Sequence, residues 1–308
     1  MKVVITGGSG LIGRALTNLL VKDGYKVVIL SRNPENVRGL PNGANAIRWD
    51  GKTGDGWEDY IEGATAVVNL AGASIADDNP LKIRWTADKK KAIVDSRVDA
   101  GRAMIDAFSR ATRKPKVLIQ SSAVGYYGPV AGDRMITEED RSGFDFLAQV
   151  CVKWEKVTDP ILNMGVRRAI IRTGVVLSNE GGAFPLMMLP VKMFVGGPIG
   201  SGKQYVPWIH IMDEARAIKF LIENENARGA YNLSAPNPVP NKALIQAAGK
   251  QLNRPTFVPT PAFVFQLAFG EASTILLDGQ CAVPKNLQDA GFQFEYPTIE
   301  SAMRDLLG

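Results

Sequence analysis

The chain has little of the chemistry that metal sites and many catalytic sites require. Its 308 residues include one histidine, His210, and two cysteines, Cys151 and Cys281. One imidazole excludes a histidine-cluster metal site, and two cysteines so far apart do not have the spacing of zinc or redox motifs. We therefore expect no metal centre, and at most one histidine for acid–base chemistry.

The sequence also lacks long hydrophobic runs and a strong excess of either charge. No apolar run approaches the roughly 18 residues that a membrane-spanning helix needs. The glycine loop at Gly7 comes too early for the hydrophobic region of a secretory signal. Lysine and arginine number 36 against 31 acidic residues, and the basic run 89–91 is typical of a solvated helix face. These features predict a cytoplasmic globular protein without a membrane or nucleic-acid partner.

Short β-branched runs alternate with segments of helical periodicity over the first 173 residues. The runs predicted as strands are Lys2–Thr6, Lys26–Leu30, Ala46–Trp49, Thr65–Leu70, Lys116–Gln120 and Arg168–Arg172. Helical periodicity begins at about Leu11 and returns over Lys89–Ala111 and Leu147–Asp159. Because such alternation forms parallel sheets covered by helices on both faces, we predict a doubly wound α/β (Rossmann) fold.

The composition changes after Gly174. Glycines are dense at 181–182 and 196–202, and prolines cluster between 236 and 261. Both are typical of loops and of a smaller lobe at the mouth of the sheet. We predict a sheet domain of residues 1–173 and 207–232, and a smaller lobe of residues 174–206 and 233–308 that caps a substrate site.

The loop between the first strand and the first helix carries glycines at positions 7, 10 and 13. Gly7 permits a tight turn, Gly10 lets a diphosphate approach the backbone, and Gly13 lets the helix pack closely on the strand. The start of the helix offers N–H groups and a positive dipole end to the phosphates. The pattern favours a dinucleotide held by Gly7, Gly10, Leu11, Ile12 and Gly13 over a merely tight turn.

The end of the second strand decides which dinucleotide is favoured. A carboxylate there would bind the adenosine ribose and favour NAD, but Ser31 and Arg32 stand there and the first acid is Glu35. A guanidinium can pair with the extra phosphate of NADP, so the sequence predicts NADP, the alternative being that Arg32 is a solvated surface charge. Asp50 follows the third strand and is expected near the adenine amine.

The stretches TGGSGLIG (6–13), NLAG (69–72), SSAVGYYG (121–128) and WIHIMD (208–213) resemble the extended short-chain dehydrogenase/reductase superfamily. The phrases RWT, SRV, DFLA, GGPIGSG and GQC resemble an atypical epimerase-family subgroup with a short C-terminal module at about residues 252–300. The resemblance spans the whole chain. It implies a small hydroxyl or carbonyl substrate, with nucleotide sugars as one option, and a homodimer by analogy. It also implies further cofactor contacts from Leu70, Ala71, Gly72, Arg97, Ser121 and Val176, with a plain surface salt bridge as the alternative for Arg97.

The superfamily's proton relay is missing from this sequence. In the superfamily a tyrosine and a lysine four residues later lie on one helix face, and the lysine charge lowers the tyrosine pKa. The seven tyrosines stand at 25, 60, 126, 127, 205, 231 and 296, and none has lysine four residues on. The expected positions hold Leu147 and Cys151, which are typical of apolar packing.

Four other residues are candidates to replace the missing tyrosine and lysine in catalysis. Ser122 occupies the place of the superfamily's substrate-orienting hydroxyl, and Tyr126 or Tyr127 can reach the nicotinamide region. His210, just before Asp213, resembles the superfamily's substrate-pocket strand, although a structural imidazole is the favoured interpretation. Packing or substrate stacking is the alternative for the tyrosines. Two functions stay open: an NADP-dependent oxidoreductase or epimerase, and a non-catalytic NADP(H)-binding sensor or scaffold.

Overall fold

The computed structural model describes residues 1–76 and 84–308 of the chain. Its strands are β1 (Lys2–Thr6), β2 (Lys26–Ser31), β3 (Ala44–Arg48), β4 (Ala66–Asn69), β5 (Val117–Ala123), β6 (Met135–Ile136), β7 (Arg167–Thr173), β8 (Val175–Leu177), β9 (Tyr205–Val206), β10 (Trp208–His210), β11 (Gly229–Leu233), β12 (Val239–Pro240) and β13 (Cys281–Ala282). Its α-helices are α1 (Leu11–Lys22), α2 (Glu58–Ile61), α3 (Ala87–Arg110), α4 (Phe146–Lys156), α5 (Phe184–Lys192), α6 (Ile211–Glu223), α7 (Asn241–Leu252), α8 (Ala262–Phe269), α9 (Thr274–Leu277), α10 (Lys285–Asp289) and α11 (Ile299–Leu307).

Seven strands form one parallel sheet in the order β11-β7-β5-β4-β1-β2-β3. The strand order reverses beside β1, where the chain crosses from one half of the sheet to the other, so the predicted doubly wound fold is confirmed. All six predicted strands are present with ends shifted by at most three residues. The seventh, β11, was not predicted as a strand, because GAYNL has only a short apolar pattern.

Helices bury both faces of the sheet, which explains why its central strands are almost continuously apolar. On one face α1 and α6 pack together, with Leu16, Leu20 and Ile218 fully buried. On the other face α3 contributes Met104 and Phe108 to a second core. Helix α3 is 24 residues long, yet none of the described helices is long and apolar enough to cross a membrane.

A third core lies in the smaller lobe, where α5, α7 and α11 contribute Met188, Leu244 and Met303. The lobe is also anchored to the sheet domain, since Leu287 and Phe292 lie in the first core. Strand β13 pairs with β6 as well. The end of the chain therefore holds the smaller lobe against the carboxyl edge of the sheet, while the predicted division into two domains remains a prediction.

Candidate functional site

The glycine loop brings β1, β4 and α1 into close contact. Gly7 has a φ of +65°, and a Cβ on it would lie 2.8 Å from the Leu70 carbonyl oxygen. The Gly10 N–H donates to the Gly7 carbonyl at 3.0 Å. A Cβ on Gly13 would lie 2.5 Å from the Gly8 Cα. Side chains at Gly7 and Gly13 would therefore push the loop away from the strand and the helix.

The start of α1 fits a diphosphate. Gly10 caps the helix without a side-chain hydrogen bond, and no acidic residue lies in the first turn. The first-turn N–H groups have no intrahelical partner, and the positive dipole end is unopposed. Gly182 lies close to both Leu11 and Val176, because a Cβ on it would lie 3.2 Å from Leu11 Cδ2 and 3.9 Å from the Val176 carbonyl oxygen. Val176 is therefore near the start of α1.

A ladder of buried hydrogen bonds fixes the strand ends under the expected cofactor path. The Thr6 hydroxyl donates to Asn69 Oδ1 at 2.7 Å, and the Asn69 amide donates to Gln120 Oε1 at 3.0 Å. Gln120 in turn donates to the Ser121 carbonyl at 2.9 Å. The Ala71 N–H donates to the Thr6 hydroxyl at 3.2 Å. The ladder brings the predicted residues at the ends of β4 and β5 to one edge of the sheet.

Two guanidinium groups lie at the ends of β2 and β3, where the adenosine is expected. Arg32 is exposed after β2, and its carbonyl accepts a hydrogen bond of 2.9 Å from Arg48. Arg48 also pairs with Glu35 at 3.0 Å. The Ser31 hydroxyl accepts from the Asn33 N–H at 3.2 Å. Sequence reasoning missed Arg48, because only the register of β3 beside β2 brings it to Arg32.

Asp50 is engaged in a turn of its own. Its carboxylate accepts hydrogen bonds from the Lys52 N–H and from the N–H and hydroxyl of Thr53. Burial alone would raise the pKa of Asp50, but these hydrogen bonds outweigh burial and lower it. The carboxylate therefore stabilises the loop after β3, and its contact with adenine stays a prediction.

A cavity of about 340 Å³ opens beside the ends of β5 and β7, under the smaller lobe. Its wall includes Ala123 at the end of β5, Thr173 at the end of β7, and Gly174 just beyond. The smaller lobe contributes residues of α5, α7 and α9. Volume and position are those of a small-molecule site at the carboxyl end of a doubly wound sheet.

Arg97 lies in this cavity wall, on α3. One of its nitrogens donates to the carbonyls of Ala73 and Ile93, both at 3.0 Å. Its guanidinium carbon lies 4.7 Å from the centre of the Trp154 ring. A Cβ on Gly72 would lie 3.1 Å from the same carbon. The structure thus brings Arg97 together with the end of β4, and its predicted contact with the cofactor remains a prediction.

Ser122 and Tyr127 belong to a buried polar network. The Ser122 hydroxyl donates to Glu155 at 2.6 Å, and Arg172 donates to the same carboxylate oxygen at 2.9 Å. Arg172 also donates to the Tyr127 hydroxyl at 3.0 Å, which donates to Asn232 at 2.7 Å. Burial raises the pKa of Tyr127 to about 12, although Arg172 opposes the shift. The geometry does not support catalysis by these two hydroxyls, because both are buried and already bonded.

Tyr126 and His210 also have structural partners. The Tyr126 ring is half-buried, with the Arg172 guanidinium carbon 3.5 Å from its centre. His210 Nδ1 accepts from the Met212 N–H at 3.2 Å and caps α6. Its Nε2 lies 3.2 Å from Asp305, and burial lowers the pKa of His210 despite that carboxylate. His210 thus joins α6 to α11 as a neutral imidazole, and a catalytic role for it is not supported.

Comparison with known proteins agrees with this arrangement. Residues 3–146 match the NAD dependent epimerase/dehydratase family, and residues 260–306 match a domain of unknown function, DUF1731. The epimerase family protein YfhF of Bacillus subtilis is 37% identical over 307 residues, covering 100% of this chain and 98% of the relative. The chain belongs to the NAD dependent epimerase/dehydratase family. The predicted C-terminal module is thereby confirmed as well.

Two solved structures extend the likeness of this epimerase-family chain. The human epimerase family protein SDR39U1 (isoform 2), solved with NADPH, has a TM-score of 0.87 and 32% identity, covering 100% of this chain and 99% of that one. A nucleoside-diphosphate sugar epimerase from Corynebacterium glutamicum has a TM-score of 0.77 and 33% identity, and this chain covers 58% of its length. The whole chain, including the smaller lobe, therefore follows an epimerase-family architecture.

The relay positions of this epimerase-family chain lie in the cavity wall. Leu147 and Cys151, both on α4, line the cavity. Burial, with a contribution from Glu155, raises the pKa of the Cys151 thiol to about 11. The thiol is therefore protonated at neutral pH and is a poor nucleophile. A leucine and a neutral thiol cannot perform the tyrosine–lysine proton transfer.

Glu214 is a functional candidate that sequence reasoning missed. It is fully buried in the first turn of α6, and the Thr173 hydroxyl donates to its Oε1 at 2.8 Å. Within the described residues its Oε2 has no hydrogen-bond partner. Burial raises the pKa of Glu214 to about 8 against the effect of the Thr173 bond. In the sequence, Glu214 is simply an acidic residue after Asp213 at the start of a helix. Exposed acidic residues are common at that position, so the sequence does not reveal that Glu214 is buried.

Replacing Glu214 by glutamine should flatten the dependence of stability on pH. Because the folded pKa of about 8 lies above the unfolded value of 4.5, the wild-type chain loses stability as the pH rises between them. Glutamine stays neutral, so Glu214→Gln should gain on the order of 3 kcal/mol relative to wild type between pH 5 and 9. Urea unfolding at both pH values measures this, with the exposed Glu300→Gln as control. If the free energy of unfolding of wild type and of Glu214→Gln changed equally between pH 5 and 9, Glu214 would not be neutral in the folded chain.

Proposed function

We propose that this chain binds NADPH along the carboxyl edge of the sheet and transfers hydride between it and a small carbonyl or hydroxyl compound in the cavity. One observation carries the proposal: the cavity wall includes the ends of β5 and β7, at the edge where the glycine loop and Val176 meet. The solved human relative contains NADPH in the same architecture. When bound, the cofactor supplies the hydride, and the chain supplies binding and proton transfer.

Different residues would bind the diphosphate of the cofactor and the phosphate on its adenosine ribose. The N–H groups at the start of α1 would hold the diphosphate, since Gly10 and the following turn leave them open. Arg32, supported by Arg48, would hold the phosphate on the adenosine ribose. A guanidinium pairs with phosphate through two parallel hydrogen bonds, which a ribose hydroxyl cannot match.

Thr173 and Glu214 are the groups best placed to supply a proton. Thr173 lines the cavity, and its hydroxyl donates a hydrogen bond of 2.8 Å to Glu214. A carboxylic acid with a pKa of about 8 holds a proton at pH 7 and can release it during the reaction. The pair would thus replace the missing tyrosine and lysine: the Thr173 hydroxyl would turn from Glu214 and give its proton to the substrate oxygen, and the neutral Glu214 would give its proton to the Thr173 oxygen.

Replacing Arg32 by glutamate should change cofactor preference. The variant removes the partner of the extra phosphate and adds repulsion, so the NADPH dissociation constant should rise by about tenfold or more while that of NADH changes little. Isothermal titration with both cofactors measures the effect. Arg102→Glu, an exposed position on α3, is the matched control. Equal losses for NADPH and NADH would overturn the assignment of Arg32.

A second function is favoured by the residues that replace the relay. Leu147 and Cys151 stand in its place, and Ser122 and Tyr127 are held in the buried network. A non-catalytic NADPH sensor or scaffold would show this combination of a complete cofactor loop and a lost relay. A panel of carbonyl compounds with NADPH separates the two functions. Turnover that Glu214→Gln slows supports the enzyme, whereas NADPH binding without any turnover supports the sensor.

A further inference from the structure

Most of the cavity wall is apolar. The rings of Trp85 and Phe146 lie 5.2 Å apart on one side, and both line the cavity. Met187 and Leu276 line it from α5 and α9. Trp154 lies on α4 below them. Walls of this kind hold the apolar or aromatic body of a ligand by burial, while a few polar groups orient it.

The charges in the wall do not suit a nucleotide sugar. Among the described lining residues Arg97 is the one cation, whereas Asp145, Glu271 and Asp278 are acids. A sugar nucleotide carries two phosphates, which proteins bind with several cationic donors or with an open helix N-terminus. The nearby N-terminus of α4 is already capped, because Asp145 accepts from the Leu147 N–H at 2.9 Å. Because Glu271 is paired with Lys90, a diphosphate would face the carboxyl groups of Asp145 and Asp278 and the attraction of one lining guanidinium, Arg97.

Arg97 is placed to receive one anionic group. It is half-buried, and within the described residues no carboxylate lies within ion-pair distance of it. One nitrogen is used for the Ala73 and Ile93 carbonyls, which fixes the plane of the guanidinium over Trp154. Burial lowers the pKa of Arg97, which reflects the cost of keeping this charge without a counter-ion. A planar carboxylate on a ligand would supply the counter-ion and two acceptors.

We propose that the cavity takes a compact, largely apolar carbonyl compound, or the corresponding alcohol, that bears one carboxylate, and that Arg97 binds this carboxylate. The inference rests on the proposed function and names its substrate class. It places the apolar body between Trp85, Phe146 and Leu276, and the acid group on α3 at Arg97. Sugar nucleotides fall outside this class, because Arg97 is the one cation among the described lining residues.

The test uses the full chain saturated with NADPH and three probes in isothermal titration calorimetry. The probes are 2-naphthoate, the neutral 2-naphthamide of the same shape, and UDP-glucose. We expect 2-naphthoate to bind about tenfold or more tightly than 2-naphthamide, because a hydrogen-bonded charge pair typically contributes that much. UDP-glucose should give no binding at the same concentrations. Tighter binding of UDP-glucose than of 2-naphthoate, or no binding of either naphthyl compound, would overturn the inference.

Variants at Arg97 locate the carboxylate. Arg97→Gln should bind both naphthyl compounds equally, and Arg97→Lys should keep part of the preference for the acid. Arg102→Gln, on the same helix but exposed, should behave as wild type. If Arg97→Gln instead loses NADPH affinity and keeps the tenfold preference, Arg97 serves the cofactor and the inference fails. NADPH binding is titrated first without probes, so that a failure of the proposed function is distinguished from a failure of the substrate class.

Discussion

Gly13→Ala should lose NADPH binding by at least tenfold, the largest effect on function that we expect from a single methyl group. The new Cβ would lie 2.5 Å from the Gly8 Cα and 2.6 Å from the Gly7 carbonyl oxygen. Neither backbone atom can rotate away, so the loop must shift from the start of α1, where the N–H groups proposed to hold the diphosphate lie. Overpacking of this kind costs about 1–3 kcal/mol in stability as well.

Titration calorimetry and urea unfolding separate the two effects of Gly13→Ala. The matched control is Asn18→Ala, on the exposed face of the same helix, which should change neither quantity. We expect the loss of NADPH affinity at temperatures and urea concentrations where Gly13→Ala is still fully folded. Wild-type affinity in Gly13→Ala would mean that the loop does not hold the cofactor.

Glu155→Gln should destabilise the fold by about 3–5 kcal/mol, because it leaves the Arg172 charge buried without a counter-charge. The Glu155 carboxylate accepts two hydrogen bonds from Arg172, at 2.9 and 3.0 Å, and a third from Ser122. Both charged side chains are about nine-tenths buried. Urea unfolding measures the change in the free energy of unfolding.

The exposed pair of Glu35 and Arg48 provides the comparison for Glu155. Its side chains are 57% and 67% exposed. Glu35→Gln should therefore cost no more than about 1 kcal/mol. Similar losses for Glu155→Gln and Glu35→Gln would show that the network does not hold β5, α4 and β7 together.

Local patterns predicted the sheet and the cofactor loop, because both depend on neighbours in sequence. The run KVVIT and the glycines at 7, 10 and 13 fix a strand, a turn and a helix within about 20 residues of one another, and β1 and α1 lie where expected. Parallel order then follows from the alternation of strands and helices. The family resemblance predicted the C-terminal module, which periodicity alone does not reveal.

The buried network and the cavity depend on contacts that no local pattern records. Ser122 meets Glu155 across 33 residues, Arg172 meets Tyr127 across 45, and Thr173 meets Glu214 across 41. A tyrosine or a serine after a strand looks the same in sequence whether it faces ligand or core. The candidates Ser122 and Tyr127 were therefore placed beside the correct strand, while their burial and their partners became visible only in three dimensions.

We propose that the chain binds NADPH through the start of α1 and the guanidinium of Arg32. Titration of NADPH and NADH into the purified full chain at near-physiological salt, followed by calorimetry and by the midpoint of thermal unfolding, tests it most directly. We expect saturable NADPH binding, a raised unfolding temperature, and clearly weaker binding of NADH. Absence of both heat and stabilisation at millimolar NADPH would contradict it.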